Sequence, residues 1–406
     1  MTIPISVRPV TEAEYEAYGK CLAPAFGGDY DAEEQARELE LIPLGDTLAA
    51  FEGDLLVGTE GAFRMTVTIP GGEVPMAGVT SVSVLPTHRR RGVLTAMMRH
   101  RLEDMHHQGQ WLAGLWASES MIYGRFGYGL ATERLRLEVQ KHRSAFAHAS
   151  SGPTMRLLER AEAEIVIPPI YARAAADRPG MIARDSRWWT HLWHDPREHR
   201  EGRSARLFAV HSTGGVDDGY TVYRTRFDWA SRSTSEVYVE ELVSISDSGY
   251  AGTWRYLLDI DLLHLVVAGR RPLDDPLPWL LADRGAVNIT VMEAMWLRLV
   301  DVKVALAARA YLATDTLVLD VRDTFCPWNA GRYLLTTGPE SATCETTSKA
   351  ADLVLGAAEL AAMYLGGVRP STLAQARRVR EEVQGSLARA DEVFRWHLIP
   401  WCDRVF

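Results

Sequence analysis

Thr80-Ser81-Val82-Ser83-Val84-Leu85-Pro86-Thr87-His88-Arg89-Arg90-Arg91-Gly92-Val93-Leu94-Thr95-Ala96-Met97-Met98 reads as a strand, a tight turn and a helix start. Val82 and Val84 alternate as strand residues, Pro86 ends the strand, and Gly92 stands where an apolar helix begins. Such a junction leaves backbone N–H groups of the first helical turn unpaired, and the helix dipole favours negative charge there. Arg89, Arg90 and Arg91 add three permanent positive charges, and Gly92 allows an anion close to the backbone. Arginine triplets also decorate solvated helix starts that bind nothing, so the order strand, proline, glycine, helix is what favours a phosphorylated cofactor. The endings of a Walker loop and of a dinucleotide fingerprint are both missing.

The rest of the chain narrows the class. Its 406 residues exceed one ordinary core and predict two or three domains. Hydrophobic residues at 47% and charged residues at 24% match a globular protein. No stretch approaches a run of uncharged apolar residues long enough to span a membrane, and Met1-Thr2-Ile3-Pro4-Ile5 lacks the basic start of a secretory signal, so the expected compartment is the cytoplasm. Cys21, Cys326, Cys344 and Cys402 are scattered, which argues against a disulfide framework or a bound metal and for buried apolar roles. A net charge of −9 opposes nucleic-acid binding, so the arginines are a local feature of an acidic protein.

Periodicity predicts strands at 5–7, 48–51, 55–59, 63–69, 79–85 and 111–117, with a helix opened by the capping pair Thr11 and Glu14 and another over 92–108. This mixed α/β domain closes near residue 150, with Ala149–Pro153 as linker. Helices at 169–178, 186–194 and 250–267 and strands at 207–211, 219–227 and 237–245 follow. The trio Trp188, Trp189 and Trp193 reads foremost as core or subunit packing. After Val291 the pattern changes again, to strands at 316–321 and 331–336 and helices at 357–364 and 372–387.

Arg89-Arg90-Arg91-Gly92-Val93-Leu94 resembles the Arg/Gln-x-x-Gly-x-Gly/Ala signature with which GNAT acetyltransferases hold the pyrophosphate of coenzyme A, Leu94 departing from the small residue usual there. Acetyl transfer to an amine needs a neutral nucleophile, a polarised thioester carbonyl and a proton for the departing thiolate. A phenol of pKa ~10 stays protonated at neutral pH and can hydrogen-bond a sulfur whose thiol pKa is ~8.5. Ile122-Tyr123-Gly124-Arg125-Phe126-Gly127-Tyr128-Gly129 offers two phenols directly after the strand expected to flank the cofactor. The same segment also reads as a glycine-rich turn pinned by packed aromatics.

Residues 83–92 (Ser-Val-Leu-Pro-Thr-His-Arg-Arg-Arg-Gly), Ala117-Ser118-Glu119 and 122–129 together resemble the Eis (enhanced intracellular survival) acetyltransferases, as do 274–283, Met295-Trp296-Leu297-Arg298-Leu299, Met363-Tyr364-Leu365-Gly366-Gly367 and Ser371-Thr372-Leu373-Ala374. The resemblance spans nearly the whole chain. It implies an α/β (α+β) chain with tandem GNAT-like domains, each with a mixed central sheet, and a sterol-carrier-like domain. Its parts are a catalytic GNAT domain over 1–150 binding acetyl-coenzyme A, a central GNAT-like domain over 151–290 without cofactor, and a sterol-carrier-like domain over 291–406 whose terminus reaches the active site. It also implies a homohexamer with a small-molecule amine as partner; the composition read above argues against nucleic acid, membrane or metal.

By the same resemblance Tyr123 is the general acid, and the terminal carboxylate of Phe406 is the proton acceptor or ammonium anchor. Backbone N–H groups around Val82 and Val84 polarise the carbonyl; Arg89, Arg90, Gly92 and Val93 hold the pyrophosphate, Thr95 lies in the following turn, and Ser118 lines the acetyl pocket. Asp29 matches an acidic pocket position, and Val405 stands where an acid can contribute. Taken by itself, Val405-Phe406 is only an ordered apolar end, and an unperturbed terminal carboxyl of pKa ~3.5 is a poor base. The implied activity is acetylation of polyamine-like or aminoglycoside amines by direct attack in a ternary complex. Protein-lysine acetylation and a catalytically silent coenzyme A or lipid carrier are the rival readings.

Overall fold

The computed structural model describes residues 4–148, 155–228 and 235–406, so the linker expected at 149–153 lies outside the described residues. The chain divides into two units. One holds the described chain up to Thr132, Ala294–His397 and Val405–Phe406; the other holds the described residues of Glu133–Glu293 and Leu398–Arg404.

The first unit opens with β1 (Ile5–Pro9), α1 (Tyr15–Ala25), α2 (Ala32–Leu39), β2 (Thr47–Glu52), β3 (Leu55–Ile69), β4 (Gly72–Val84), α3 (Val93–His107), β5 (Leu112–Trp116), α4 (Ser120–Tyr123) and β6 (Gly129–Leu130). The capping pair before α1 forms as expected: the Thr11 N–H donates to the Glu14 carboxylate at 3.0 Å. Helix α3 buries Val93, Met97, Met98, Leu102 and Met105, the three-to-four spacing that directs one face to a core.

Two expected strands, 55–59 and 63–69, are one. Glycines at 58 and 61 are packing positions here rather than turns: a Cβ on Gly58 would lie 2.9 Å from Val93 Cγ1, and one on Gly61 3.3 Å from the Tyr18 hydroxyl. Strands β1 to β4 form an antiparallel meander.

The second unit contains β7 (Glu133–Gln140), β8 (Met155–Leu158), α5 (Arg160–Asp177), α6 (Ser186–Trp193), β9 (Leu207–Thr213), β10 (Val216–Arg226), β11 (Glu236–Ser244), α7 (Asp247–Asp259), β12 (Leu265–Arg271), α8 (Leu277–Leu280) and β13 (Val287–Glu293). Its sheet runs β13-β7-β12-β11-β10-β9-β8. The helix expected at 250–267 stops at Asp259. Val266 and Val267 are buried on the central strand β12, and an apolar run buried on both faces carries no period that separates strand from helix. Helix α5 extends well before its expected start and runs through Pro168 and Pro169. Trp188 and Trp193 are buried, and Trp189 stacks on Trp193 at 5.5 Å between ring centroids, the packing role read from sequence.

The chain then returns to the first unit as β14 (Met295–Leu299), giving the sheet order β1-β2-β3-β4-β5-β14-β6. A second sheet in this unit, β17-β16-β15-β18-β19, is built from β15 (Asp315–Arg322), β16 (Gly331–Thr337), β17 (Thr343–Thr346), β18 (Leu353–Gly356) and β19 (Val379–Glu381), with helices α9 (Val302–Ala308), α10 (Ala357–Met363), α11 (Pro370–Gln375) and α12 (Ser386–Phe394). The single helix expected at 372–387 is therefore two helices with β19 between them; Arg377 at φ 61° ends the first and Gly385 at φ 90° caps the second.

The expected boundaries at 150/151 and 290/291 differ from this division. The chain leaves the first sheet after Thr132 and re-enters it at Ala294, and these two crossing points are bonded to each other: the Ala294 N–H donates to the Thr132 carbonyl at 3.1 Å, and the Met295 N–H to the Thr132 hydroxyl at 2.9 Å. Strand β7 thus belongs to the sheet of the second unit and β14 to the seven-stranded sheet of the first unit.

Candidate active site

The site begins with an irregularity in β4. Register against β3 shifts between Thr59 and Gly61, so Glu60 stands opposite both Ser81 and Val82, and Ser81 takes φ 53°. Such a bulge turns backbone amides away from regular pairing. On the other side of β4, the parallel pairing with β5 covers only Ala77–Val79 against Ala113–Leu115. Beyond it the two strands diverge, and the β4 edge from 80 to 84 opens into a cleft of about 700 Å³.

Val82, Val84, Arg89, Arg90, Gly92, Val93, Thr95, Ser118 and Tyr123 all line this cleft. Gly92 is the N-cap of α3 at φ 85°, and a Cβ there would meet nothing within 4 Å, so its space opens directly onto the cleft. Arg89 and Arg90 are exposed and have no ion pair with any described residue. Arg91 instead pairs with Glu52, which also takes a 3.0 Å contact from His88 Nε2. Glu52 is held below the usual carboxylate range mainly by Arg91. Consecutive side chains at a helix start diverge, and an acid on β2 claims the third arginine.

Tyr123 ends the single turn of α4 and is 5% exposed. Burial, with the Glu60 charge second, raises its pKa to about 12. Its hydroxyl has no hydrogen-bond partner among the described residues. Tyr128 packs edge-on against it at 6.0 Å and is fully buried, its hydroxyl also unpartnered. Behind both lies Glu60, buried and bonded to Arg101 Nε at 2.9 Å. The turn between the tyrosines uses Gly127 at φ 83°, whose missing side chain leaves room for the Arg298 guanidinium at 2.5 Å from the Cβ position.

Two expected site residues lie elsewhere. Asp29 sits in the exposed loop between α1 and α2 and does not line the cleft; Phe26, three residues earlier, does. Phe406 is not on the cleft wall. Its ring packs on β4, with Cδ2 3.1 Å from where a Gly78 Cβ would stand, beside Met65. Sequence reasoning missed Ala25, Phe26, His88, Glu119 and Arg125 on the cleft wall. Arg125 had a signal, one residue beyond the Tyr123-Gly124 pair; Phe26 had none, since α1 comes to the cleft only by folding.

Comparison with known proteins gives the arrangement a context. Residues 6–131 match the model of an acetyltransferase (GNAT) domain, 180–299 a second acetyltransferase (GNAT) domain, and 302–403 a sterol carrier protein domain. The chain is 40% identical to an "uncharacterized N-acetyltransferase" of Streptomyces avermitilis, over 98% of this chain and 99% of that one. It is 33% identical to N-acetyltransferase Eis of Mycobacterium tuberculosis over 84% of each. Among solved structures, Eis1 of Mycobacterium abscessus superposes with a TM-score of 0.87 at 34% identity, covering 99% of this chain and all of that one.

Proposed function

This chain belongs to the Eis family of GNAT N-acetyltransferases, and from that premise we propose that it transfers acetyl from acetyl-coenzyme A to primary amines of polyamine-like or aminoglycoside substrates in a ternary complex. The observation that carries the reading is the meeting of two unpaired arginines, an open glycine, a bulged strand edge and a buried phenol in one cleft. Acetyl-coenzyme A would supply the activated acyl group. Arg89 and Arg90 neutralise its pyrophosphate, while Gly92 and Val93 admit it to the amides at the start of α3. The β4 edge around Val82 and Val84 provides N–H donors for the carbonyl oxygen, and Ser118 stands at the acetyl end.

Tyr123 is the proton donor to the departing sulfur. Its raised pKa keeps the phenol protonated across the working pH range, and its unpartnered hydroxyl is free to bond the thiolate. The terminal carboxylate of Phe406 serves as ammonium anchor, attracting and orienting the substrate amine, or as the acceptor of its proton. Val405, 50% exposed, brings no charge to this end of the chain. The proposal includes a homohexamer in the cytoplasm, the compartment that supplies the acetyl donor. No helix among the described residues is long and apolar enough to cross a membrane.

The test is thiol release from acetyl-coenzyme A with the native, untagged C-terminus, over a panel of monoamines, spermidine, kanamycin and lysine peptides. Release with the small polyamines is expected. Release with peptides alone would turn the assignment to protein-lysine acetylation, and none at all would overturn it.

A further inference from the structure

The cleft holds the donor side; beside it, the face of β3 and β4 that carries α1 holds a group that the mechanism above leaves unused. Residues paired across antiparallel strands share a face. Gly61 pairs with Thr80 and Phe63 with Gly78. The vacant Cβ position of Gly61 lies 3.3 Å from the Tyr18 hydroxyl, and that of Gly78 lies 3.1 Å from the Phe406 ring. Tyr18 of α1 and the C-terminal residue therefore occupy one face. Helix α2 joins them there, held to α1 by a 2.5 Å bond from Gln35 Nε2 to the Tyr15 carbonyl.

From α2, Glu38 reaches the bulge, where its Oε1 accepts a 2.9 Å hydrogen bond from the Ser81 hydroxyl. No arginine or lysine is paired with it among the described residues. Nearby, the Tyr18 hydroxyl, on a side chain 2% exposed, makes no well-formed hydrogen bond among the described residues. A buried hydroxyl left without a partner is costly, and that cost is removed when a donor-rich ligand arrives. From Gly78 to Ser81 is three residues of strand, about 10 Å.

A carboxyl at the bulge and the C-terminal residue on the same sheet face, with an orphaned hydroxyl beside the carboxyl, suit a ligand that carries more than one positive charge. We propose that Glu38, oriented by Ser81 and flanked by the Tyr18 hydroxyl, is a specificity-determining carboxylate of the acceptor site that receives a second ammonium group of a di- or polyamine while the Phe406 terminus receives the first. This rests on the amine-acetyltransferase reading given above. Burial, with Glu34 nearby, raises the Glu38 pKa, and an arriving ammonium favours its ionised form. Selectivity then comes from charge spacing: a monoamine satisfies the terminus but leaves Glu38 without a counter-charge.

The experiment compares kcat/KM for spermidine and for n-butylamine in the wild type, Glu38→Gln and Glu38→Asp, all with native C-termini. The wild type is expected to prefer spermidine by at least tenfold. Glu38→Gln should collapse that preference at least fivefold through the amine KM, with the acetyl-coenzyme A KM unchanged within twofold, and Glu38→Asp should restore part of it. A change of more than twofold in the acetyl-coenzyme A KM as well, or an unchanged spermidine-to-butylamine ratio in Glu38→Gln, overturns the role of Glu38 and leaves the acetyltransferase reading intact. If no amine releases thiol, that reading fails, and calorimetric titration of spermidine into coenzyme A-saturated protein decides Glu38 alone. Binding by the wild type that Glu38→Gln weakens tenfold upholds the proposal; equal binding, or none by either, overturns it.

Discussion

Single side chains divide the work by whether they are left unsatisfied. Arg91 is consumed by Glu52, whereas Arg89 and Arg90 remain unpaired at the cleft. Arg89→Ala and Arg90→Ala should each raise the acetyl-coenzyme A KM about fivefold to tenfold with little change in kcat, the signature of lost binding shared by ground and transition states. Tyr123→Phe should instead lower kcat by about 10²-fold or more with KM nearly unchanged, as expected when a positioned proton donor is removed. Steady-state kinetics on the three variants separates the roles. Because burial lifts Tyr123 to about 12, its neutral form persists well into alkaline solution. A kcat profile measured to pH 10 should therefore show no fall assignable to this phenol; such a fall, absent in Tyr123→Phe, would contradict the assignment. These residues were legible because they lie close together along the chain, from Val82 to Tyr123. Asp29 had no such neighbours to fix its place, since an acid in a loop has no period or partner that says where it points.

Among the elements, β4 carries the design. Its bulge, its short pairing with β5 and its glycine at 78 make the cleft on one side and the seat of the C-terminus on the other. Gly78→Ala places a methyl 2.3 Å from Met65 Sδ and 3.1 Å from the Phe406 ring. Met65 can yield, but the ring must shift. The variant should lose at least tenfold in kcat for amine acetylation while acetyl-coenzyme A still protects it in a thermal-shift assay. A second element-level device is the pair between Arg298 of β14 and Asp323, both buried. Asp323→Ala strands a guanidinium in the core and should cost about 3–5 kcal/mol, read by urea unfolding. Periodicity found most of these elements. It failed where a central strand is apolar on both faces, as at Val266-Val267, and where glycines inside β3 looked like turns.

For the whole molecule, the prediction that belongs to the assembly is its mass: sedimentation should give about six times the 45.2 kDa of one chain, and a monomer at working concentration would refute the hexamer. Amidating or extending the terminus should abolish amine acetylation without changing acetyl-coenzyme A affinity, because only the far end of the chain is altered. The sequence by itself determined the fold class, the phosphate-type turn and the two-tyrosine motif, since each depends on residues within a few turns or strands of one another. Only the tertiary structure decided that β7 and β14 change sheets, that α1 lends Phe26 to the cleft, and that Phe406 lies on Gly78. Those outcomes depend on which distant surfaces bury each other. Hydrophobic burial is non-directional along the chain, so local pattern reveals that a segment must be covered but not by what.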